Sequence, residues 1–142
     1  MLEMYMLKLN EMDSEPVIKK DVLVVEDDQL LNMVMSIELA QIDGLNIRTA
    51  SNGRQALSSI KEQRPDLIIL DVTLPGLTAF EIVHVLKSEE SLNKIPLIIH
   101  TSHDLSIDEQ KELELGPTIF ITKTRTCKEL TDIVRKALNL AN

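Results

Sequence analysis

Leu67-Ile68-Ile69-Leu70-Asp71 is a run of four apolar residues closed by one acid. The run is too short for a helix, so it reads as a strand buried on both faces. Pro65 stops the element before it, and Pro75-Gly76 supplies turn chemistry after it. A strand without polar alternation belongs inside a parallel sheet covered by helices on both faces.

The same grammar recurs on either side. Upstream, Val22-Leu23-Val24-Val25 is a second such run, followed at once by Glu26, Asp27 and Asp28. Leu30, Met33, Val34, Ile37 and Ala40 then recur at helical spacing, which predicts a helix over 29–42 with Gly44 at its stop. Asn46 to Thr49 is a weaker strand, and Asn52-Gly53 turns into a helix over about 53–63. Downstream, Phe80, Ile82, Val83 and Leu86 mark a helix from Ala79 to Lys87. Pro96 opens the strand Leu97-Ile98-Ile99, which ends at His100-Thr101-Ser102. Residues 105–115 read as a polar helix stopped by Gly116-Pro117. Ile119-Phe120-Ile121 is a fifth strand leading to Thr122-Lys123, and Leu130, Ile133, Val134 and Leu138 mark a last amphipathic helix over 126–140. Strand and helix alternate five times, the pattern of an α/β domain with a parallel sheet.

Composition narrows the function classes. The 142 residues suffice for one domain. Aromatics make up 2%, so the core must be built from Leu, Ile and Val. The net charge of −8 argues against non-specific nucleic-acid binding and against docking on anionic lipid. The single cysteine, Cys127, excludes an intrachain disulfide and fits a reducing compartment. No apolar stretch reaches the length of a membrane span, so the cytoplasm is the expected location. Residues 1–20 read as an extension to a domain at 21–142. The extension is open between a disordered tail, an added strand, and a short helix with Leu2, Tyr5, Met6 and Leu9 on one face.

Polar residues appear abruptly where strands end: Glu26 and Asp27, then Asp71, then Thr101, then Lys123. A parallel sheet gathers these ends at one edge, and such sheets bind ligands there, at a switch point of the strand order. Two carboxylates about 4 Å apart repel by roughly 4 kcal/mol at an effective dielectric near 20. A cation or Lys123 must offset that repulsion. Oxygen-only donors suit Mg²⁺, here through Asp27 and Asp71. A carboxylate beside a metal, a lysine and a hydroxyl is equipped to accept a phosphoryl group. Taken singly, each acid could be a helix cap or a solvated charge, and Asp28 is a natural cap. The joint pattern over four strand ends outweighs that reading.

The sequence resembles the receiver domain of two-component response regulators, in its stand-alone, chemotaxis-regulator-like form. The resemblance rests on residues 22–28, 67–75, 96–102 and 116–123, in that order, and covers about residues 20–140. It implies a flavodoxin-like sheet with strand order 2-1-3-4-5. It implies Asp71 as phosphoacceptor, Asp27 as a magnesium ligand with Glu26 acting through water, and the Thr73 backbone carbonyl as a further ligand. Thr101 and Lys123 would contact the phosphoryl group, and Phe120 would be the switch aromatic. His103, at the rim with Thr73, would tune the lifetime of the phosphoryl group. The implied donor is a sensor histidine kinase or phosphotransfer protein. The implied exit is a protein contact over residues about 105–140, with a homodimer left open.

The sequence departs from the family at three places. Thr124 follows Lys123 where a proline after a cis bond is usual, Gly76-Leu77-Thr78-Ala79 replaces an Asp-Gly segment, and Pro117 replaces an alanine. A turn needing positive φ is expected at Gly76. His84, His100 and His103 fit no compact metal motif.

Three functions compete. The first is a receiver switch, not an enzyme in the ordinary sense, that supports its own phosphorylation and dephosphorylation. With no basic reading helix and nothing after residue 142, direct DNA binding is not expected of it. The second is a pseudo-receiver that binds partners without phosphorylation, which the complete Glu26, Asp27, Asp71, Thr101 and Lys123 set argues against. The third is a magnesium-dependent phosphatase, which usually needs a carboxylate where Thr73 stands.

Overall fold

The computed structural model describes residues 1–13, 19–102, 104–123 and 127–140, without the side chains of residues 9–13 and Cys127. Helix α1 (Leu2–Asp13) comes first, so the helical option is the one residues 2–13 take. Then follow β1 (Lys20–Val25), α2 (Gln29–Ala40), β2 (Leu45–Ala50), α3 (Gly53–Glu62) and β3 (Leu67–Asp71). After these come α4 (Ala79–Lys87), β4 (Leu97–Thr101), α5 (Ile107–Leu113), β5 (Thr118–Thr122) and α6 (Cys127–Ala137). The five strands form one parallel sheet in the order β2-β1-β3-β4-β5. This is the expected flavodoxin-like order.

Strand alternation sorts the core into two layers. Leu23, Val25, Ile68, Leu70, Leu97 and Ile99 face one side, against Ala56 and Ile60 of α3, Ile82, Val83 and Leu86 of α4, and Leu113 of α5. Val22, Val24, Leu67, Ile69, Ile98 and Ile121 face the other, against Met35 and Leu39 of α2 and Leu130 and Val134 of α6. The buried strands thus read as continuous apolar runs because each face has its own helices.

Boundaries shift from the sequence reading where side-chain caps decide them. The fourth of the five sequence-read helices, α5, starts at Ile107 because Ser106 and Glu109 form a reciprocal capping box. It stops after Leu113, whose side chain is buried, rather than running to Gly116. Helix α2 ends at Ala40, and Ile42 tucks into the core before Gly44 turns the chain at φ +86°. Asn52 caps α3 by accepting from the Gln55 backbone N–H at 2.9 Å. Gly76 takes φ +75°, as its place after Pro75 leads one to expect.

The strand order reverses between β1 and β3. The chain leaves β1 for β2 on one side, then returns to lay β3 on the other. The crevice at that reversal opens at the carboxyl ends of β1 and β3, where Glu26, Asp27 and Asp71 stand.

Candidate functional site

Each acid reaches the crevice through its own local device. Asp28 caps α2, its Oδ1 accepting from the backbone N–H of Leu30 at 3.0 Å and of Leu31 at 3.1 Å. This cap spends Asp28 on the helix and leaves Glu26 and Asp27 for the crevice. The Asn32 side-chain amide donates to the Glu26 carbonyl at 3.0 Å and the Ala50 carbonyl at 3.3 Å. It ties α2 to the ends of β1 and β2 and fixes the acidic turn. Asn32 is the one polar interruption in Leu30-Leu31-Asn32-Met33-Val34, a signal the sequence carried and the reading above did not use.

Glu26, Asp27 and Asp71 can each present an oxygen so that all three oxygens lie within 4.8 Å of one another. Glu26 and Asp71 are buried and Asp27 is exposed. Lys123 crosses from the end of β5, its Nζ 2.7 Å from Glu26 Oε1 and 3.0 Å from Asp71 Oδ2. The other Asp71 oxygen, Oδ1, accepts from the Thr73 backbone N–H at 3.2 Å. The Lys123 backbone N–H donates to the Thr101 carbonyl at 2.9 Å, which registers the β5 end against the β4 end. Thr101 itself is buried at the last position of β4.

Burial of Lys123 opposes its charge, but its hydrogen bonds and charge pairing with Glu26 and Asp71 win, and its pKa is held above the ordinary lysine value. The lysine is therefore a fixed positive charge at neutral pH. One lysine does not neutralise three carboxylates, so the crevice keeps a negative excess. Oxygens on opposite sides of an octahedral Mg²⁺ are about 4.2 Å apart. The 4.8 Å spread is close to that, and the donors are all oxygen. The residues present therefore fit a hard divalent cation.

Beside the acids lies His100, paired in register with Asp71. It is buried, and its Nδ1 makes no hydrogen bond among the described residues. Desolvation first, and the nearby Lys123 charge second, lower its pKa against an opposing pull from Glu26. Sequence reading left it a plain histidine, because nothing in the sequence shows which flank of β4 it faces.

On the other side of β4 a cleft of about 280 Å³ is lined by Thr101, Leu105, Gln110, Phe120 and Thr122, among others. Phe120 is half-buried and packs against the core layer of α3, α4 and α5. The structure thus brings Glu26, Asp27, Asp71 and Lys123 into one site, with Thr101 at the adjoining strand end and Thr73 bonded to Asp71. His103 lies outside the described residues, as does Thr124 after Lys123.

A doubly wound parallel sheet with three carboxylates and a lysine at its switch point defines an α/β domain with an acidic crevice at the strand carboxyl ends. Residues 22–135 match the response regulator receiver domain, and the chain belongs to that family. Among curated relatives, the polar-differentiation response regulator DivK of Brucella anthropi is 31% identical over 119 residues, covering 84% of this chain and 96% of DivK. The probable transcriptional regulatory protein TcrX of Mycobacterium tuberculosis is 33% identical over 126 residues, covering 89% of this chain and 51% of TcrX. The chain therefore spans about half the length of this and several other curated relatives it matches. Among solved structures, the Vibrio cholerae chemotaxis protein CheY4 superposes with a TM-score of 0.75 at 27% identity, over 84% of this chain and 99% of that one. The receiver domain of the sensor histidine kinase PA1611 from Pseudomonas aeruginosa, solved with a magnesium ion in its active-site cleft, superposes at 0.74 with 26% identity, over 85% and 98%.

Proposed function

We propose that this receiver is a phosphorylation-controlled switch with Asp71 as its acceptor. The observation that carries the reading is the Lys123 ammonium bridging buried Glu26 and buried Asp71 within an all-oxygen acidic cluster. An Asp71 carboxylate oxygen attacks the phosphorus of a phosphohistidine on a sensor kinase or phosphotransfer protein. The O–P bond forms as the P–N bond breaks, and the departing imidazole nitrogen keeps the electron pair and takes up a proton.

A magnesium ion held by Asp27, Asp71 and the Thr73 carbonyl, with Glu26 acting through water, would supply charge neutralisation at the phosphoryl oxygens. Lys123 holds its proton throughout and balances charge on a phosphoryl oxygen that Asp71 brings within its reach. The buried Thr101 hydroxyl binds another oxygen. Drawing Thr101 inward alters the cleft it shares with Phe120, and the aromatic ring follows. This shifts a two-state equilibrium of the surface over residues 105–140, where a downstream protein docks. His103 and Thr73 set how fast water removes the group. The resident signal is thus relayed through protein contacts.

Acetyl phosphate with Mg²⁺ tests the reading. Wild type should gain the mass of one phosphoryl group, and Asp71→Asn should gain none. Absence of any gain, together with absence of beryllofluoride binding to wild type, would sink the switch in favour of a phosphorylation-independent interaction module.

A further inference from the structure

Asparagine is a weak helix former, because its side chain competes for backbone partners. Asn32 nevertheless stands in the first turns of α2, the one polar residue in Leu30-Leu31-Asn32-Met33-Val34. Its own backbone N–H is spent on the helix, donating to the Asp28 carbonyl at 2.9 Å. Its side chain reaches out of the helix instead. The amide nitrogen donates to the Glu26 carbonyl at 3.0 Å and to the Ala50 carbonyl at 3.3 Å. Two carbonyls fix which way the amide points, since an oxygen in that place would meet two acceptors. On its other side the Ser36 hydroxyl lies 3.3 Å from Asn32 Oδ1.

These bonds bear on Asp27. A residue is the joint between two rigid peptide planes. The plane before Asp27 carries the Glu26 carbonyl, which Asn32 holds. The plane after it carries the Asp28 N–H, which donates to Glu26 Oε2 at 3.3 Å. Glu26 is itself anchored, its backbone N–H donating to the Ala50 carbonyl at 3.1 Å and its Oε1 lying 2.7 Å from Lys123 Nζ. The exposed Asp27 carboxylate is thus aimed from a backbone pinned on both sides. Docking of α2 has other supports, since Met35 and Leu39 are buried in the core and Asp28 caps the helix.

We propose that Asn32 is a positioning residue of the acidic crevice: by bridging the Glu26 and Ala50 carbonyls, its amide fixes the turn that aims Asp27 and so sets how tightly the crevice takes a divalent cation. The inference rests on the reading of Glu26, Asp27 and Asp71 as a magnesium site. Mg²⁺ demands nearly ideal octahedral geometry at about 2.0–2.1 Å. A carboxylate on a loosened turn must be ordered at the moment of binding, which costs affinity. Removing a group that orients a metal ligand lowers affinity by roughly 10–100-fold.

Calorimetric titration of the full chain with Mg²⁺ tests this, beside urea unfolding of the same proteins. Asn32→Ala and Asn32→Leu should each weaken Mg²⁺ binding about tenfold. Leucine keeps the bulk of the side chain, so equal losses in the two variants assign the effect to the amide. Circular dichroism reads whether each variant folds, and either one alone carries the test. Arg48→Met is the contrast, because it breaks a network at the opposite edge of the sheet. It should lose more stability in urea than either Asn32 variant and keep wild-type Mg²⁺ affinity. Wild-type affinity in the Asn32 variants would overturn the proposal, as would affinity restored by leucine. A matching loss in Arg48→Met would also overturn it, since affinity would then follow overall stability. Failure of wild type to bind Mg²⁺ would instead remove the magnesium site, and the proposal with it.

Discussion

The two edges of the sheet use the same residue types to opposite ends. At the amino edge, buried Asp21 meets Arg48, whose Nη2 lies 2.6 Å and Nε 2.9 Å from Asp21 Oδ2. Asn46 donates to the other oxygen at 2.7 Å. The remaining Arg48 donors go to the Ser59 and Gln63 carbonyls at 2.8 and 2.7 Å. Arg48 has no donor to spare, and the Asp21 backbone N–H goes to Asp66 Oδ2 at 2.7 Å, so the buried acid is fully answered in a closed network that ties β1, β2 and α3 together. At the carboxyl edge three acids share one lysine, and exposed Asp27 makes no hydrogen bond or ion pair among the described residues. The imbalance, not the presence of buried charge, separates a site from a strut. Charges at a site are left uncompensated so that a ligand can compensate them.

The sharpest way to break this contrast is to remove one charge from each edge: an acid from the carboxyl edge and the cation from the amino edge. Asp71→Asn should abolish phosphoryl incorporation entirely, measured by intact mass after acetyl phosphate treatment. Its urea midpoint should equal or exceed that of wild type, because one of three like charges is gone. A large loss of stability would mean that Asp71 is structural like Asp21. The mirror experiment is Arg48→Met. Removing the cation leaves Asp21 buried and unpaired, a change that costs about 3 kcal/mol at a site where the arginine is only one-fifth exposed. Urea unfolding reads the loss, while the folded fraction should still take up phosphate.

Magnesium sharpens the comparison next. A cation that binds only the folded crevice stabilises by about 2.7 kcal/mol at a hundred times its dissociation constant. Thermal melts of wild type should rise with added Mg²⁺, and those of Asp27→Asn should scarcely move. Arg48→Met should keep the full rise, because the amino-edge network takes no part. An equal rise in Asp27→Asn would place the ion elsewhere.

These edges were unequally legible in the sequence. The carboxyl edge announced itself, because Glu26, Asp27, Asp71 and Lys123 all stand within two residues of the end of an apolar run and a parallel sheet has only one place to put them. The amino edge did not. Asp21 and Arg48 are far apart in the chain, and Arg48 sits in a strand whose weak pattern hides its partner until β1 and β2 are paired in register. Element identity over residues 21–140 followed from periodicity, but the ends of α5 depended on a capping box that periodicity ignores. Phe120 could be placed on β5 by sequence, whereas the cleft it shares with Thr101 is a property of two strand ends in register.

A smaller effect tests the loop that follows β3 at the carboxyl edge. A Cβ added at Gly53 would stand 2.5 Å from the Leu77 carbonyl oxygen, which belongs to the segment between β3 and α4. Gly53→Ala therefore pushes α3 against the loop that carries Thr73, at a cost of about 2 kcal/mol by overpacking. Stability should fall in urea, and because the displaced loop holds the Thr73 N–H on Asp71, phosphoryl uptake should slow as well. A stability loss with an unchanged rate would show that the loop absorbs the shift without passing it to Asp71.

The smallest expected effect sits between the two kinds of charge. His100 is buried beside the acidic site yet belongs to neither network, and its pKa is lowered by desolvation and by Lys123. A depressed value means that the unfolded chain binds a proton more readily than the folded one. Its contribution to stability is thus full above the unfolded histidine value of about 6.5 and declines as pH falls through the lower folded value. Lys123 does not confuse the measurement. Its raised pKa keeps its contribution intact below the ordinary 10.5 and loses it only at alkaline pH. Urea midpoints of wild type and His100→Val should therefore diverge as the pH is taken from 7 to 5, wild type falling further. At pH 7 the variant should be no less stable, since it also removes a buried Nδ1 without a partner among the described residues. Parallel acid slopes for the two proteins would mean that His100 finds a proton-stabilising partner in the folded state. That would bring it into the charge balance of the carboxyl edge.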